Sequence, residues 1–145
     1  MLDPMPSPAA RVDSPPARPL VVFDGDCGFC RHWIERWRRR TGEAVEYLPF
    51  QDPEIVRRFP VLTPARCARA VQMVEPDGVV SEGAEAVLRL LGCGGPRWPL
   101  AAYRRVPGVR ALSELAYRLV ARNRRLAFRL TNLLPGAGDG PTCRR

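Results

Sequence analysis

Lysine is absent from the chain. All 23 basic residues are arginine, so chemistry that needs a lysine amine is excluded. Histidine occurs once, at His32, which excludes a metal site built from several histidines. No uncharged apolar run approaches the roughly 18 residues that a membrane-spanning helix needs. The segment 1–18 has no aromatic residue and no continuous apolar stretch; it carries Asp3, Asp13 and repeated prolines, so a secretory signal is not expected. What remains is 145 residues with 46% hydrophobic and 26% charged side chains, which is one domain with a real core and not a disordered chain.

The formal charge of +8 is unevenly placed. Residues 97–145 hold eleven arginines against Glu114 and Asp139, while residues 1–96 hold twelve arginines against thirteen acids. Such a C-terminal excess invites a nucleic-acid or anionic-surface reading, with a solvated arginine face on a helix pair as the plainer one.

Residues 1–18 read as a disordered Pro/Ala-rich leader. Pro19 to Phe23 suits a buried strand that feeds the turn at Asp24-Gly25. Gly28 to Arg40 is helical in pattern, with Phe29, Trp33, Ile34 and Trp37 on one core-facing side and Arg38, Arg39 and Arg40 at the negative end of the helix dipole. Glu43 to Pro49 reads as a second strand, Gln51 to Arg58 as a short helix, and Pro60 to Ala68 as a loop around Thr63-Pro64. Ala70 to Glu75 and Val79-Val80 form a hairpin about Pro76-Asp77-Gly78. Ser81 is placed to cap the next helix, Glu82 to Leu91, whose Ala84, Val87, Leu88 and Leu91 make an inward stripe. A helical extension follows over 97–134, either continuous over 109–134 or bent near Asn123, and 135–145 is a flexible tail. The order β–α–β–(α)–β–β–α plus helices is an α/β, thioredoxin-like arrangement: a right-handed βαβ unit, a β-hairpin, a closing helix and a C-terminal α-helical extension.

The reactive position of that arrangement is the turn between the first strand and first helix, here Asp24-Gly25-Asp26-Cys27-Gly28-Phe29-Cys30. Two cysteines three residues apart at a helix start can bring their sulfurs within bonding distance, as a dithiol or a small-ring disulfide. Helix N-terminal amides favour a thiolate at the first position. Cys27 is therefore the attacking nucleophile and Cys30 the more buried resolving thiol. Asp24 is either a proton acceptor for one thiol or a turn-forming residue before Gly25. Asp26 opposes the thiolate by like-charge repulsion unless it is occupied in capping the helix. His32 reads as a surface side chain, and Trp33 and Trp37 as core residues. Gly28 and Phe29, between the cysteines, are positions where substitutions alter redox poise.

Two other readings use the same residues. A zinc or iron–sulfur site would need four ligands, but Cys67, Cys93 and Cys143 are isolated and form no second C-x-x-C. The run Val21 to Asp26 is an apolar strand followed by D-x-D, similar to the first motif of the haloacid dehalogenase-like phosphohydrolases, with Asp24 as nucleophile, Asp26 as acid/base and magnesium held by carboxylates. That chemistry also calls for a phosphate-neutralising cation, usually lysine, and a later acidic pair for the metal; the chain has no lysine and no downstream D-D or D-x-x-x-D pair.

Val22 to Cys30, Gly83-Ala84-Glu85-Ala86-Val87-Leu88-Arg89-Leu90-Leu91 and Tyr117-Arg118-Leu119-Val120-Ala121-Arg122-Asn123-Arg124-Arg125 together resemble the DCC family of predicted thiol–disulfide oxidoreductases. The resemblance spans roughly residues 20–130. It implies a thioredoxin-like domain over 19–134, a redox-active Cys27/Cys30 pair, no obligatory cofactor, and an Arg/Asn segment that belongs to the domain instead of to a nucleic-acid surface. Thioredoxins carry a cis-proline just before the third strand; the nearest candidate here is Pro64, some six residues early. The expected protein is a cytoplasmic reductase of protein or small-molecule disulfides, recycled by an unspecified reductant. Its rival is a non-enzymatic thioredoxin-like module with a basic helical face for an acidic partner or RNA.

Overall fold

Leu20–Phe23 form β1 and are buried throughout, because this strand lies inside the sheet with neighbours on both edges. The computed structural model describes residues 10–133. β1 pairs in parallel with β2 (Glu46–Pro49) on one side and antiparallel with β3 (Gln72–Val74) on the other; β3 pairs antiparallel with β4 (Val80–Glu82). The strand order is β2-β1-β3-β4. Parallel pairing of consecutive strands requires a crossover, supplied by α1 (Gly28–Thr41). With α4 (Gly83–Cys93) after the hairpin, this is the thioredoxin-like α/β fold.

Alternation along β1 divides the core. Leu20 and Val22 join Ile55, Phe59, Leu62, Cys67, Val74 and Val80 on one face of the sheet. Val21 and Phe23 join Ile34, Met73, Ala86 and Leu90 on the other, under α1 and α4. The first face is covered by α2 (Pro53–Arg58) and α3 (Pro64–Arg69). Gln72 is fully buried, yet its amide is satisfied: it accepts from Arg66 Nε at 3.0 Å and donates to the Ala70 carbonyl at 3.0 Å and to Glu82 at 3.2 Å.

Several local expectations are corrected. The segment 60–68 is not all loop, because Thr63 accepts the Arg66 N–H and Pro64 occupies the first helical position of α3. Ser81 does not cap α4: it pairs opposite Met73 in β4, and the helix starts two residues later, after Glu82. Gly83 makes that sharp strand-to-helix step at φ +63°, where an added Cβ would also lie 3.0 Å from Glu114. Residues 10–12, assigned by composition to a leader, lie on the hairpin instead. Val80 N–H donates to the Ala10 carbonyl at 2.8 Å, Val12 N–H donates to the Gly78 carbonyl at 2.9 Å, and Ala10 and Val12 pack on the core. Residues 1–9 of that leader and the tail 135–145 lie outside the described residues.

The C-terminal extension is three helices: α5 (Trp98–Arg105), α6 (Val109–Arg122) and α7 (Arg124–Leu133). The last two are separate, since Asn123 ends α6 with its N–H bonded to the Leu119 and Val120 carbonyls. α6 packs on α4 and α5, and α7 returns along α1, which carries the first residue of α7 back to the β1–α1 turn. Among the described residues no helix is long and apolar enough to cross a membrane.

Candidate active site

β1 hands the chain to a turn fixed by its own polar groups. Asp24 Oδ1 accepts the Asp26 N–H at 3.0 Å, so the turn-forming reading of Asp24 is realised in the geometry. Gln51, just beyond β2, braces the same turn. Its Oε1 accepts the Gly25 N–H at 3.0 Å, and its Nε2 donates to Asp24 Oδ1 at 2.8 Å and to Asp26 Oδ2 at 3.3 Å. Gly25 is demanded by proximity, since a Cβ there would sit 2.8 Å from Pro49 Cβ.

Cys27 follows as the N-cap of α1, and its sulfur accepts the Cys30 N–H at 3.4 Å. Asp26 therefore does not cap the helix; it is exposed and tied to Gln51. Both thiols are free and half-buried. Their acidities diverge. Burial pushes the Cys27 thiol up, but hydrogen bonds from the Cys30 side chain and backbone, with the Arg124 guanidinium, outweigh it and leave Cys27 below the ordinary thiol value. Burial, then the hydrogen bond to Cys27, pushes Cys30 up to about 12 against the opposing pull of Arg124. A low-lying thiol beside a high-lying one, at a helix N-terminus, is an arrangement suited to attack and delayed resolution.

Arg124, the first residue of α7, is the site residue that sequence reasoning missed. It donates to the Ala68 carbonyl at 3.0 Å and the Arg69 carbonyl at 3.3 Å, at the C-terminal end of α3, and lies 3.8 Å from Asp24 Oδ2. One side chain thus ties α7 and α3 to the turn that holds the cysteines. Nothing marks it among the C-terminal arginines except its place in the third segment quoted above. Tyr117, from the same segment, accepts the Val71 N–H at 3.0 Å, and the Val71 carbonyl accepts the Gly83 N–H at 3.1 Å. Val71 is the residue before β3, where thioredoxins place their cis-proline. Here both of its backbone groups are internally paired; Pro64 starts α3, and no cis peptide bond occurs among the described residues.

The other singled-out residues are not drawn to the thiols. His32 is half-buried instead of on the surface, with its ring edge-on to Phe128 of α7 at 5.9 Å and to Trp33 at 6.1 Å. Trp33 and Trp37 are not sealed in the core; they are half-buried and line a cavity between α1, α4 and α6. Cys67 is buried in the core, where burial pushes its thiol up to about 11. Cys93 is exposed and donates to the Arg89 carbonyl; Cys143 lies outside the described residues. Among the described residues no three His, Cys, Asp or Glu side chains gather as a metal site.

No curated protein and no solved structure gives a match to the chain. The family model described as DCC1-like thiol-disulfide oxidoreductase matches residues 21–130, from inside β1 to the middle of α7. That range takes in the cysteine turn, the Gly83 junction, Tyr117 and Arg124, and so the chain belongs to the DCC1-like thiol-disulfide oxidoreductase family.

Proposed function

We propose that this protein is a cytoplasmic reductase of disulfides, acting on proteins or small molecules. The observation that carries the reading is the placement of the pair at one helix N-terminus, where Cys27 caps α1 and its sulfur accepts the Cys30 N–H at 3.4 Å, with Cys27 held down and Cys30 held up in acidity. The Cys27 thiolate bonds to one sulfur of the substrate disulfide, that S–S bond breaks, and the other sulfur leaves as a thiolate. Cys30 then gives up its proton and attacks Cys27 Sγ, which frees the second substrate thiol. The substrate gains two electrons and the Cys27/Cys30 pair loses them. An external thiol reductant restores the dithiol, a direction that a reducing cytosol favours. Asp24 shapes the site through Gln51 and Arg124 and, near enough to Cys30 to act on it electrostatically, is the carboxylate assigned to accept a thiol proton. Asp26 holds the turn through Gln51. No cofactor enters the scheme.

Cys30→Ser tests this directly, because it should arrest the reaction at a mixed disulfide on Cys27 when a disulfide-bonded protein such as insulin is supplied. Wild type with excess dithiothreitol should reduce insulin repeatedly. Absence of both the adduct and turnover would sink the reading.

The exposed Leu112, Leu115, Leu119, Leu126 and Leu130, interspersed with Arg118, Arg122, Arg125 and Arg129, favour a second role as a docking module for an acidic partner. Salt-sensitive association that survives Cys27→Ser would support it.

A further inference from the structure

Beside Cys30 lies a cavity of about 400 Å3. Ligand sites run to about 300–1,000 Å3, and this one opens to solvent along α6. Its wall is almost wholly apolar, with Phe29, Trp33 and Trp37 from α1 facing Leu88 and Leu91 from α4 and Val120 from α6. The polar groups that reach it include Cys30, Asp24 and Arg124, which are neighbours of one another at the redox turn. α4 is apolar on two sides for this reason: Ala86 and Leu90 enter the core under the sheet, while Val87, Leu88 and Leu91 line the cavity.

We propose that this cavity receives a bulky apolar group attached to the substrate disulfide, so that the preferred substrate is a hydrophobic disulfide, carried by a peptide or by a small lipophilic molecule. The proposal rests on the reductase reading and names the substrate class of the same site. A hydrophilic substituent would have to shed water against a wall that offers it few partners. Cys30 lines the cavity and Cys27, three residues before it, caps α1 at its mouth, so an apolar group seated beside Cys30 would bring its sulfur towards Cys27. Bond changes and electron flow are those given above, with the external thiol as final reductant.

The test uses the full chain and two pairs of disulfides of equal charge and similar leaving-group acidity: cystine peptides flanked by Leu/Phe or by Ser, and bis(2-phenylethyl) disulfide against bis(2-hydroxyethyl) disulfide. The apolar member of a pair should be favoured about ten- to a hundredfold in kcat/KM, the span expected for an apolar pocket. A preference in the peptide pair alone assigns protein clients, and one in the small-molecule pair alone assigns lipophilic disulfides. Ala116→Phe, reaching in from α6, should fill the cavity and bring the ratio towards one; Ala121→Leu serves if the first variant does not fold. Binding of N-phenyl-1-naphthylamine, read by its own fluorescence and by quenching of Trp33 and Trp37, should be lost in the same variant. A wild-type ratio near one, or a ratio untouched by filling, overturns the assignment of the cavity and leaves the redox reading standing. Reduction of no disulfide overturns the redox reading itself, whatever the naphthylamine does.

Discussion

Replacing Arg124 with methionine keeps an unbranched apolar stem and removes the guanidinium. Three attachments go with it: the bonds to the Ala68 and Arg69 carbonyls, the pairing with Asp24, and the positive charge beside the thiols. Hydrogen bonds that involve a charged group contribute about 1.5–3 kcal/mol. Both carbonyls are at an exposed helix end where water can replace the donor, so the loss of stability should be nearer about 1–2 kcal/mol. For the thiolate the cation acts in a half-open setting, and screening holds its contribution to about 1 kcal/mol, or about fivefold in the ionised fraction. The sign is fixed: removing a cation disfavours the anion, so Cys27 becomes a weaker acid and less of it is reactive at neutral pH. Iodoacetamide alkylation of Cys27 in a Cys30→Ser background, followed by mass from pH 5 to pH 10, should show the Arg124→Met profile moved to higher pH and the rate at pH 7 lowered about fivefold. Arg124→Lys should recover part of the rate, as a point charge without the fork that grips two carbonyls. If the Arg124→Met profile overlays that of its parent while circular dichroism shows a folded protein, Arg124 does not tune the nucleophile and the reasoning fails.

Other outcomes follow from the same geometry. In the reduced wild type, Cys27 should alkylate with a midpoint below that of an ordinary thiol, while Cys30, pushed up to about 12, stays protonated and unmodified from pH 6 to pH 9; equal labelling of both would contradict the assignment of roles. Tyr117→Phe strips the Val71 N–H of its acceptor and should cost about 1–3 kcal/mol in urea denaturation. Gly25→Ala drives a methyl into Pro49 and Gln51 and should cost about 1–3 kcal/mol with slower disulfide reduction. Gly28→Ala, where an added Cβ meets nothing within 4 Å, should stay within about 0.5 kcal/mol of wild type. Phe59→Ala opens a cavity at a fully buried position and should cost about 3–5 kcal/mol.

What could be read from the chain was local. An apolar run into Asp-Gly, a C-x-x-C and a 3.6-residue pattern all lie within a few positions of one another, and they located β1, the turn and α1. Thr63-Pro64 is ambiguous in the sequence because proline punctuates a loop and also opens a helix, and only the hydrogen bond from the Arg66 N–H to Thr63 separates the two. Residues 10–12 lack the composition of a strand, and the edge of the hairpin they meet sets their place. Gln51, Tyr117 and Arg124 act across 25 or more residues of sequence, as with Gln51 to Gly25 and Val71 to Tyr117, so no spacing rule could point to them. Trp33 and Trp37 were placed on the correct side of α1, but periodicity does not distinguish a packed core from the wall of a cavity.

The central claim is that Cys27 and Cys30 exchange electrons as one pair. The most direct measurement is a redox titration of the whole protein in glutathione buffers, with alkylation of remaining thiols and mass readout at each step. The account predicts a single reversible two-electron transition that links Cys27 to Cys30, absent in Cys27→Ser and in Cys30→Ser. If the two cysteines instead stay as separate thiols, or each takes up glutathione alone at every potential, the account is contradicted.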